Sequence, residues 1–459
     1  MKDRVLRYIR RLVFAERKLT SSQIIVLVFI CIILLGAGLL SLPISVKPGV
    51  SITFLDALFT ATSATCVTGL AIGDTYQLWS GFGQVIILGL IQIGGLGFMS
   101  VVALGAFLFR KRIGMRQRLV IAQGFGLNEL EGAVRIIRHV LIGTFAIELI
   151  GAVILTCRFM TDYPFWTALK WGVFHAVSAF CNAGFDLMGE FMPGSSLIMF
   201  AVDPVVNLTI MALVIIGGLG FFVWEDLWNY RSRRKLSVHT KMVLLISGFL
   251  ILLGWGLFAV AEWTNDATIG SFSPSEKILV SLFQSVSPRT AGFATIDQAS
   301  LTDVSKMMTM TLMFIGGSSG STAGGVKTVT VGVLFLAALY TARGKKEPHV
   351  FGRTISREQI NQALSVFLIM MGLAAIGSFL LCFLEQAPFL DCAYETVSAL
   401  ATVGLSTGLT GELCAVSKII LIIYMFFGRV GVMTISLGFL AGGMDSSRFQ
   451  YAYTQVLIG

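Results

Sequence analysis

Four short segments of this chain have residue types and a spacing that could bind an ion. Each ends in a glycine, and Gly69, Gly184, Gly292 and Gly404 lie 115, 108 and 112 residues apart in a chain of 459 residues. Such regular spacing indicates a fourfold internal repeat. Four equivalent loops can form a ring of backbone carbonyl oxygens, which can replace the hydration shell of K⁺. The segments are Thr65-Cys66-Val67-Thr68-Gly69, Asn182-Ala183-Gly184, Thr290-Ala291-Gly292 and Thr402-Val403-Gly404.

A second candidate is the Gly/Ser segment, residues 316–325, which has five glycines and four hydroxyl residues in ten positions. Each glycine costs about 1 kcal/mol relative to alanine inside a helix, so the segment is predicted to be a loop. Backbone outside a helix is tolerated at membrane depth only where it lines water or is buried in protein. We interpret it as a gate, and the alternative is a kinked packing element. Its residues are Gly316, Gly317, Ser318, Ser319, Gly320, Ser321, Thr322, Ala323, Gly324 and Gly325.

Arg429 is the third candidate, because it lies near the centre of the last apolar stretch. A guanidinium group inside a membrane needs a wet cavity or hydrogen-bond partners, and is a functional-site hypothesis by default. The repeat places Arg429 level with Gly317. We therefore predict that it holds the Gly/Ser segment across the pore through backbone carbonyls. A purely structural bridge to a neighbouring helix is the alternative.

The composition places these residues in a membrane. Hydrophobic residues make up 55% of the chain and charged residues only 13%, about half of the charged fraction that is usual in soluble domains. Apolar stretches long enough to cross about 30 Å of hydrocarbon predict eight spans. The predicted spans are residues 22–43, 81–109, 136–160, 199–229, 240–263, 305–342, 360–386 and 414–441.

Four shorter mixed segments lie between the members of each pair of spans, at residues 52–64, 166–180, 276–286 and 389–401. They are too short and too polar to cross a membrane, so each is predicted to be a re-entrant half-helix. The predicted fold is an all-α integral membrane protein in which four units of helix, half-helix, filter loop and helix surround a central pore. The units are residues 1–115, 116–238, 239–350 and 351–459.

The distribution of lysine and arginine predicts the orientation. These residues cluster in the first 18 positions and in loops 110–118, 231–241 and 343–357. By the positive-inside rule, both termini and these loops are cytoplasmic and the four filter loops enter from outside. The net charge of +9 thus comes mostly from the N-terminal residues and loops that set the orientation of the chain in the membrane. It argues against nucleic-acid binding, because no soluble region accompanies the basic runs.

Several other functions are disfavoured. The pattern from Gly320 to Thr328 departs from a phosphate-binding loop because Val326 is inserted before Lys327, and no strand precedes it. No Cys-x-x-Cys pair points to metal or redox chemistry. No nucleophile and base pair points to an enzyme. Cys392 and Cys414 could pair near the outer face, although free cysteines are the default.

Polar residues near the predicted outer vestibule allow two interpretations. His175 and Glu395 could relay protons, or they could brace the filter loops from behind, which we favour. Asp186 follows the second filter glycine and could attract cations, or it could simply cap or pair. Arg289 precedes the third filter. In the helices that follow the first two filters, Gly94-Gly95 and Gly217-Gly218 are interpreted as close packing positions.

The four filter segments resemble the pore loops of the Trk/Ktr/HKT superfamily of K⁺ transporters. The strongest matches extend from His175 to Asp186, from Ser287 to Phe293 and from Ala401 to Gly408. The chain is most similar to the KtrB-type membrane subunits of bacterial Ktr systems, over about residues 20–450. One departure is Cys181, where relatives usually carry a polar residue.

The resemblance implies K⁺ uptake across the bacterial cell membrane, with Gly69, Gly184, Gly292 and Gly404 as selectivity glycines. It also implies an intramembrane gate at 316–325 with Arg429 as its partner. Related proteins form homodimers on a cytosolic KtrA-type ring that binds ATP or ADP, and Na⁺ stimulates several of them. No cofactor is implied on this chain. Glycine at all four positions favours K⁺ over Na⁺. A Na⁺- or H⁺-coupled secondary transporter remains the competing hypothesis.

Overall fold

The computed structural model describes residues 21–97, 133–345 and 347–431, and their regular structure is almost entirely α-helical, as predicted. The only sheet in these ranges is a small antiparallel hairpin of two strands with two residues each, β1 (His349–Val350) and β2 (Arg353–Thr354). Short 3₁₀ helices lie at Pro43–Ser45, Met188–Glu190, Ile198–Phe200 and Leu409–Glu412. The helices are α1 (Ser21–Leu40), α2 (Phe54–Thr65), α3 (Thr75–Leu78), α4 (Gly81–Leu96), α5 (Ala133–Phe159), α6 (Phe165–Cys181), α7 (Pro204–Leu219), α8 (Phe221–Arg233), α9 (Val238–Glu262), α10 (Pro274–Val286), α11 (Asp303–Phe314), α12 (Thr328–Ala342), α13 (Arg357–Glu385), α14 (Phe389–Leu400) and α15 (Ala415–Val430).

Four helices in the described ranges are long and apolar enough to cross a membrane. The qualifying stretches are Ser22–Leu40, Arg138–Phe159, Val238–Glu262 and Arg357–Glu385, and the bent pair of α7 and α8 raises the number to five if it counts as one span. A helix of 20 residues extends about 30 Å, which matches the hydrocarbon thickness. The count of eight spans stays a prediction. Parts of the second and last predicted spans, residues 98–109 and 432–441, lie outside the described ranges.

The prediction of one continuous span over 199–229 is wrong. Helix α7 ends at Leu219, and α8 leaves it at an angle of 93°. The turn is made at Gly220, whose φ of +95° and ψ of 145° are accessible to glycine and strained for other residues. A hydropathy profile registers only the apolar character of this stretch and not its change of direction.

Four short helices follow the four long ones, and their bounds lie within two residues of the predicted half-helices. The caps explain where they begin. Thr53 and Asp56 form a reciprocal capping box at α2, and Ser273 and Glu276 form another at α10. Pro164 and Pro388 immediately precede α6 and α14. Each of these helices therefore starts at a residue pattern that the chain encodes locally.

The order long helix, short helix, loop and helix occurs four times in the described ranges, and the four groups close a circle. The second helix of each group packs against the short helix of the next: α4 against α6, α7 against α10, α11 against α14, and α15 against α2. The last contact joins the end of the described chain to its beginning. The loops that follow the short helices are therefore brought to a common centre.

Two of these four contacts carry an ion pair. Lys306 Nζ lies 2.9 Å from Asp391 Oδ1 where α11 meets α14, and Lys418 Nζ lies 2.9 Å from Asp56 Oδ1 where α15 meets α2. Both lysines are the fourth residue of their helix. Because the side chains are mostly buried, loss of either partner would leave a poorly solvated charge at the contact between two groups.

The other two contacts have an amide in place of the lysine. Gln84 is the fourth residue of α4, and its Nε2 donates to the carbonyl oxygen of Trp79. Asn207 is the fourth residue of α7, and its Nδ2 donates to carbonyl oxygens that include those of Phe200 and Asp203. These amides bind the chain just before their own helix. In the described ranges, ion pairs thus join the fourth group to its two neighbours, and amide side chains occupy the corresponding positions at the other two contacts.

Candidate permeation site

The four predicted filter glycines face one another in a closed ring. A methyl group on any of them would lie only 2.2 to 2.8 Å from a carbonyl oxygen of the neighbouring segment. That oxygen always belongs to the residue just before the next glycine. Gly69 faces Ala183, Gly184 faces Ala291, Gly292 faces Val403, and Gly404 faces Thr68. The four segments therefore follow one another around the ring in the same order as in the chain, and the fourth segment contacts the first.

The four segments share an unusual backbone conformation. Each filter glycine has a positive φ, and so does the non-glycine residue two positions before it. Left-handed non-glycine residues cost of order 1–3 kcal/mol and persist where the surroundings fix them, commonly at functional sites. The φ values are +57° and +95° for Val67 and Gly69, +59° and +68° for Asn182 and Gly184, +71° and +79° for Thr290 and Gly292, and +52° and +96° for Thr402 and Gly404.

A serine near the end of each short helix supports the loop that follows, and sequence reasoning missed it. The carbonyl oxygens of Ser63, Ser178 and Ser398 each accept a hydrogen bond of 2.8 Å from the backbone N–H just before the filter glycine. The hydroxyls of Ser63 and Ser398 accept from the glycine N–H at 3.0 Å. Ser287 takes a similar place in the third group, where its carbonyl oxygen accepts from Ala291 at 2.9 Å. The available signal was Ser-Ala six residues before three of the four glycines.

Three threonine hydroxyls of the filter segments have no hydrogen-bond partner within the described chain. They are the Oγ1 atoms of Thr65, Thr68 and Thr402, and all three side chains are fully buried. A buried hydroxyl without a partner is costly, and such groups are few in native structures. In contrast, the amide group of Asn182 lies 3.3 Å from Thr290 Oγ1, which links the second segment to the third. The ring therefore contains polar oxygens that the protein leaves unpaired.

The Gly/Ser segment lies beside this ring and is not helical, since α11 ends at Phe314 and α12 begins at Thr328. It folds back on itself through the backbone bond from Val326 N–H to Phe314 O at 3.0 Å. At its other end, a methyl group on Gly324 would lie 2.0 Å from Thr402 Oγ1. The predicted loop therefore contacts the filter directly.

Helix α7 supplies most of the remaining partners of the Gly/Ser segment. Ser318 N–H donates to Gly218 O at 3.0 Å, and Thr322 N–H donates to Gly217 O at 3.3 Å. The first residue of α8, Phe221, donates its N–H to Gly320 O at 2.8 Å. The bend at Gly220 exposes these carbonyls and this N–H, which a straight helix would have used internally. The bend and the Gly/Ser segment thus satisfy each other's backbone groups.

Arg429 joins the Gly/Ser segment to α4. It therefore makes both of the predicted kinds of contact, one with the Gly/Ser segment and one with a neighbouring helix. Its Nη1 donates to the carbonyl oxygen of Thr322, and its Nη2 donates to those of Gly94 and, at 3.2 Å, Gly95. The last two are carbonyls at the end of α4, where the helix dipole favours a cation. Arg429 therefore satisfies free carbonyls on both sides.

Lys327 is a second cation at this level, and the sequence analysis considered it only as part of a false phosphate-binding pattern. Its Nζ donates to the carbonyl oxygen of Ala323 at 2.7 Å and lies 3.5 Å from that of Gly324. Both oxygens belong to the Gly/Ser segment. Two cations therefore bind the same stretch of backbone, one from within its own group and one from α15.

One glycine in the helix or segment that follows each filter shows where the repeat breaks: Gly94, Gly217, Gly316 and Gly428 lie 25, 33, 24 and 24 residues after their filter glycines. A methyl group on Gly94, Gly217 or Gly428 would lie 2.0 to 2.1 Å from the carbonyl oxygen near the end of its own short helix. On Gly316 it would instead lie 2.1 Å from the carbonyl oxygen of Gly324. In the third group, the Gly/Ser segment takes the place that the short helix has in the others.

His175 and Glu395 both have contacts that fit bracing. The Nδ1 of His175 lies 2.8 Å from Trp171 O, and its Nε2 accepts from Leu187 N–H at 3.4 Å beyond the second filter. Glu395 accepts hydrogen bonds from Ser406, Thr407 and Thr410 beyond the fourth filter. Each side chain thus connects a short helix to the chain that leaves its filter. The hydrogen bonds of the described residues do not join His175 to Glu395, as a proton relay between them would require.

The other two polar residues near the filters differ in their surroundings. Asp186 is half-buried and accepts from Met188 N–H at 3.0 Å, and burial together with the negative charge of Asp74 raises the pKa of its carboxyl. Arg289 is buried, and its guanidinium donates to Ser247 through Nη1 at 3.4 Å and Nη2 at 3.1 Å. Among the described cysteines, Cys392 and Cys414 are both free thiols.

Comparisons with known proteins agree with this architecture. The TrkH family, described as a cation transport protein, matches residues 16–447. The chain is 39% identical to the Ktr system potassium uptake protein B of Bacillus subtilis, over 100% of this chain and 99% of that protein. It is 37% identical to the potassium/sodium uptake protein NtpJ of Enterococcus hirae, over 97% and 98%.

A solved structure has the same fold. The crystal structure of the potassium transporter TrkH from Vibrio parahaemolyticus aligns with a TM-score of 0.71 and 19% identity, over 92% of this chain and 86% of that one. These matches confirm the resemblance that the filter segments predicted. The chain belongs to the TrkH family of cation transport proteins, so it is a multi-pass membrane transporter and not an enzyme.

Proposed function

We propose that this protein takes up K⁺ across the bacterial cell membrane, through a selectivity filter formed by the four glycine segments. The closed ring of glycines and carbonyl oxygens carries the proposal, because a dehydrated K⁺ needs oxygens from several directions at once. The unpaired threonine hydroxyls offer further oxygen ligands in the same ring. The names of the Bacillus and Enterococcus relatives also point to potassium.

The Gly/Ser segment is the gate in this proposal, and Arg429 holds it in place. The segment contacts Thr402 of the filter, and its carbonyl oxygens accept hydrogen bonds from Arg429 and Lys327. A positive charge close to the ion path opposes cation passage. Opening therefore requires the Gly/Ser segment and the two cations to move apart.

The pore is regulated from the cytoplasm in this proposal. The protein forms a homodimer, and a KtrA-type ring that binds ATP or ADP contacts the basic cytoplasmic surface. The name of the Bacillus relative, a Ktr system protein, supports a multi-subunit assembly. Regulation requires that the nucleotide-bound ring interacts differently with open and closed pores. Both termini face the cytoplasm by the charge rule, and Na⁺ acts as an activator.

A Na⁺- or H⁺-coupled transporter is the competing function. Its coupling residues would be His175, Asp186 or Glu395. His175 and Glu395 are occupied by hydrogen bonds to the chain around the filters, which favours the uncoupled pore. Currents with no fixed ion stoichiometry distinguish a pore from a coupled carrier.

Deletion of residues 317–324 tests the gate. The variant and the wild type are reconstituted into vesicles, and ⁸⁶Rb⁺ uptake is measured with Na⁺ or Li⁺ as competitor, with and without the copurified cytosolic partner. We expect higher uptake that no longer responds to the partner. Unchanged, still regulated uptake would exclude the gate. Helix content measured by circular dichroism verifies that the deletion variant is folded.

A further inference from the structure

Glu148 is a buried carboxyl in the middle of the membrane-spanning stretch Arg138–Phe159 of α5. Only 5% of the residue is exposed. None of its hydrogen bonds in the described ranges joins it to a filter glycine or to the Gly/Ser segment. An ionisable side chain at this depth is costly and marks a functional site by default.

The partners of Glu148 are few. The Nε2 of Gln92, on α4, lies 3.0 Å from Oε1 and 3.1 Å from Oε2, so a single amide group is shared by both oxygens. The Sγ of Cys181, at the end of α6, lies 3.9 Å from Oε1 and is a weak donor at best. An ionised carboxylate can accept about four hydrogen bonds. Within the part of the chain that the structure describes, Glu148 receives hydrogen bonds only from the Gln92 amide and, weakly, from the Cys181 thiol.

Two other buried glutamates of this chain show what a satisfied carboxylate looks like here. Glu262 accepts four hydrogen bonds, from Asn265 Nδ2, Thr268 Oγ1, and the N–H and Oγ1 of Thr302. Glu395 also accepts four, from the hydroxyls of Ser406, Thr407 and Thr410 and the N–H of Thr407. Hydrogen bonds to the charged form stabilise it, and burial without them destabilises it. Glu148 therefore has far fewer hydrogen bonds with which to hold a negative charge than either of them.

We propose that Glu148 is a proton-binding site within the membrane, whose carboxyl holds a proton in the folded protein. The neutral carboxyl needs only one acceptor for its proton, and the side-chain oxygen of Gln92 can take that role after a turn of its amide group. A bound proton thus removes most of the unsatisfied polarity that an ionised Glu148 would leave.

The surroundings of Glu148 connect it to Arg429. Among the described residues, the titratable group that faces it is Cys181 of α6. Helix α7 meets α5 through Leu213 on Gly151, and α8 meets it through Trp224 near Gly143, so both are apolar at these contacts. On the side of α4, a methyl group on Gly95 would lie 2.5 Å from Cys181 Sγ, and the Gly95 carbonyl accepts from Arg429.

Ionisation of Glu148 therefore places a negative charge behind the end of α4 that Arg429 binds. That charge attracts the guanidinium toward α4 and away from the Thr322 carbonyl of the Gly/Ser segment. The segment is then held less firmly, and uptake rises with pH. This consequence rests on the proposed function, whereas the bound proton itself does not.

Infrared spectroscopy of the full-length protein in lipid vesicles tests the bound proton without reference to transport. We expect a protonated-carboxyl C=O band at neutral pH that is weaker in Glu148→Gln by the absorption of one carboxyl, because Asp186 and any other protonated carboxyl absorb equally in both proteins. The matched control, Glu412→Gln, changes an exposed glutamate and leaves the band in place. A spectrum with the same protonated-carboxyl band in wild type and Glu148→Gln would overturn the proposal.

⁸⁶Rb⁺ uptake between acid and alkaline pH tests the connection to Arg429. We expect wild-type uptake to rise about fivefold over this range, and Glu148→Gln to keep the low acid-side rate throughout. Asp186 is present in both proteins, so the difference between the two profiles isolates Glu148. Parallel profiles would overturn the connection. Absence of K⁺-selective uptake from the wild type at every pH would instead reject the proposed function and leave the infrared result standing.

Discussion

The filter ring and the layer beside it differ in how far they keep the fourfold repeat. In the ring, four glycines and four left-handed residues occupy equivalent places, and a serine carbonyl supports each loop, from six residues before the glycine in three groups and from five in the third. In the neighbouring layer, three groups place a helix glycine against their own short helix, and the third group places Gly316 against the Gly/Ser segment instead. Arg429 and Lys327 have no equivalents at matching positions in the other groups.

In the proposed function, this difference separates two tasks. Holding a dehydrated ion needs similar oxygens on all sides, so equivalent loops suit a filter. Blocking and releasing a path needs one element with two positions, and a single unlike loop is sufficient. We therefore expect variants of the ring to change which ion passes, and variants of the neighbouring layer to change how fast ions pass.

The largest expected effect is that of Gly69→Ser. A side chain there would lie 2.4 Å from the Ala183 carbonyl oxygen, so that the ring must deform. We expect the preference for K⁺ over Na⁺, measured by competition against ⁸⁶Rb⁺ uptake, to fall at least about tenfold, which corresponds to about 1.4 kcal/mol. The control Gly408→Ser has the same backbone strain, with φ of +98° against +95°, but open space around it. Equal losses in both variants would assign the effect to strain alone.

The next largest effect is that of Arg429→Gln. The variant loses the charged donor that joins Thr322 to the end of α4. We expect uptake without the cytosolic partner to rise about tenfold, with the K⁺ to Na⁺ preference unchanged. The control Arg138→Gln removes an exposed arginine from α5. A loss of selectivity without a rise in rate would contradict the separation of the two layers.

A smaller effect in the same direction is expected for Lys327→Met. This variant removes the bonds to the carbonyl oxygens of Ala323 and Gly324, while Arg429 still holds the segment. We expect a rise in basal uptake of about threefold. Adding Lys327→Met to Arg429→Gln measures whether the two cations act on one element. Simply multiplied effects would indicate independent roles, because coupled residues give non-additive free energies.

The smallest effect is expected at the contacts between groups. Lys418→Met leaves Asp56 buried without its partner, and we expect the free energy of unfolding in detergent to fall by about 1–3 kcal/mol. Adding Asp56→Asn to this variant restores much of that loss, because no unpaired charge remains and the side-chain oxygen of asparagine can still accept from Thr53. Gln84→Met serves as the control at a contact that has no ion pair. A similar loss in Gln84→Met would show that the charged and neutral contacts do not differ.

Several features were predictable because they depend on residues close together in the chain. The half-helices follow from local capping patterns and short apolar length, and their bounds agree within two residues. The non-helical Gly/Ser segment follows from its five glycines, which weaken any helix. The glycine spacing indicated the repeat, and the supporting serines could have been found from the Ser-Ala pattern.

Other features depend on which distant residues meet. The bend at Gly220 is absent from the hydropathy pattern, because a bent and a straight apolar helix have the same composition. The contact of Lys327 with the Gly/Ser segment depends on how that segment folds back. Glu148 was overlooked because its significance lies in having so few partners, and the partners it has are 33 and 56 residues away in the chain.

The sequence by itself determined that this protein is a membrane protein of four related groups, with four glycine segments suited to an ion and one unlike loop. Apolar length, glycine content and repeat spacing are properties of the chain alone. Only the tertiary structure decided that the glycines form a closed ring in chain order, that Arg429 binds both α4 and the Gly/Ser segment, and that Glu148 has few donors among the described residues. These facts depend on packing between groups about 110 residues apart, which no local residue preference specifies.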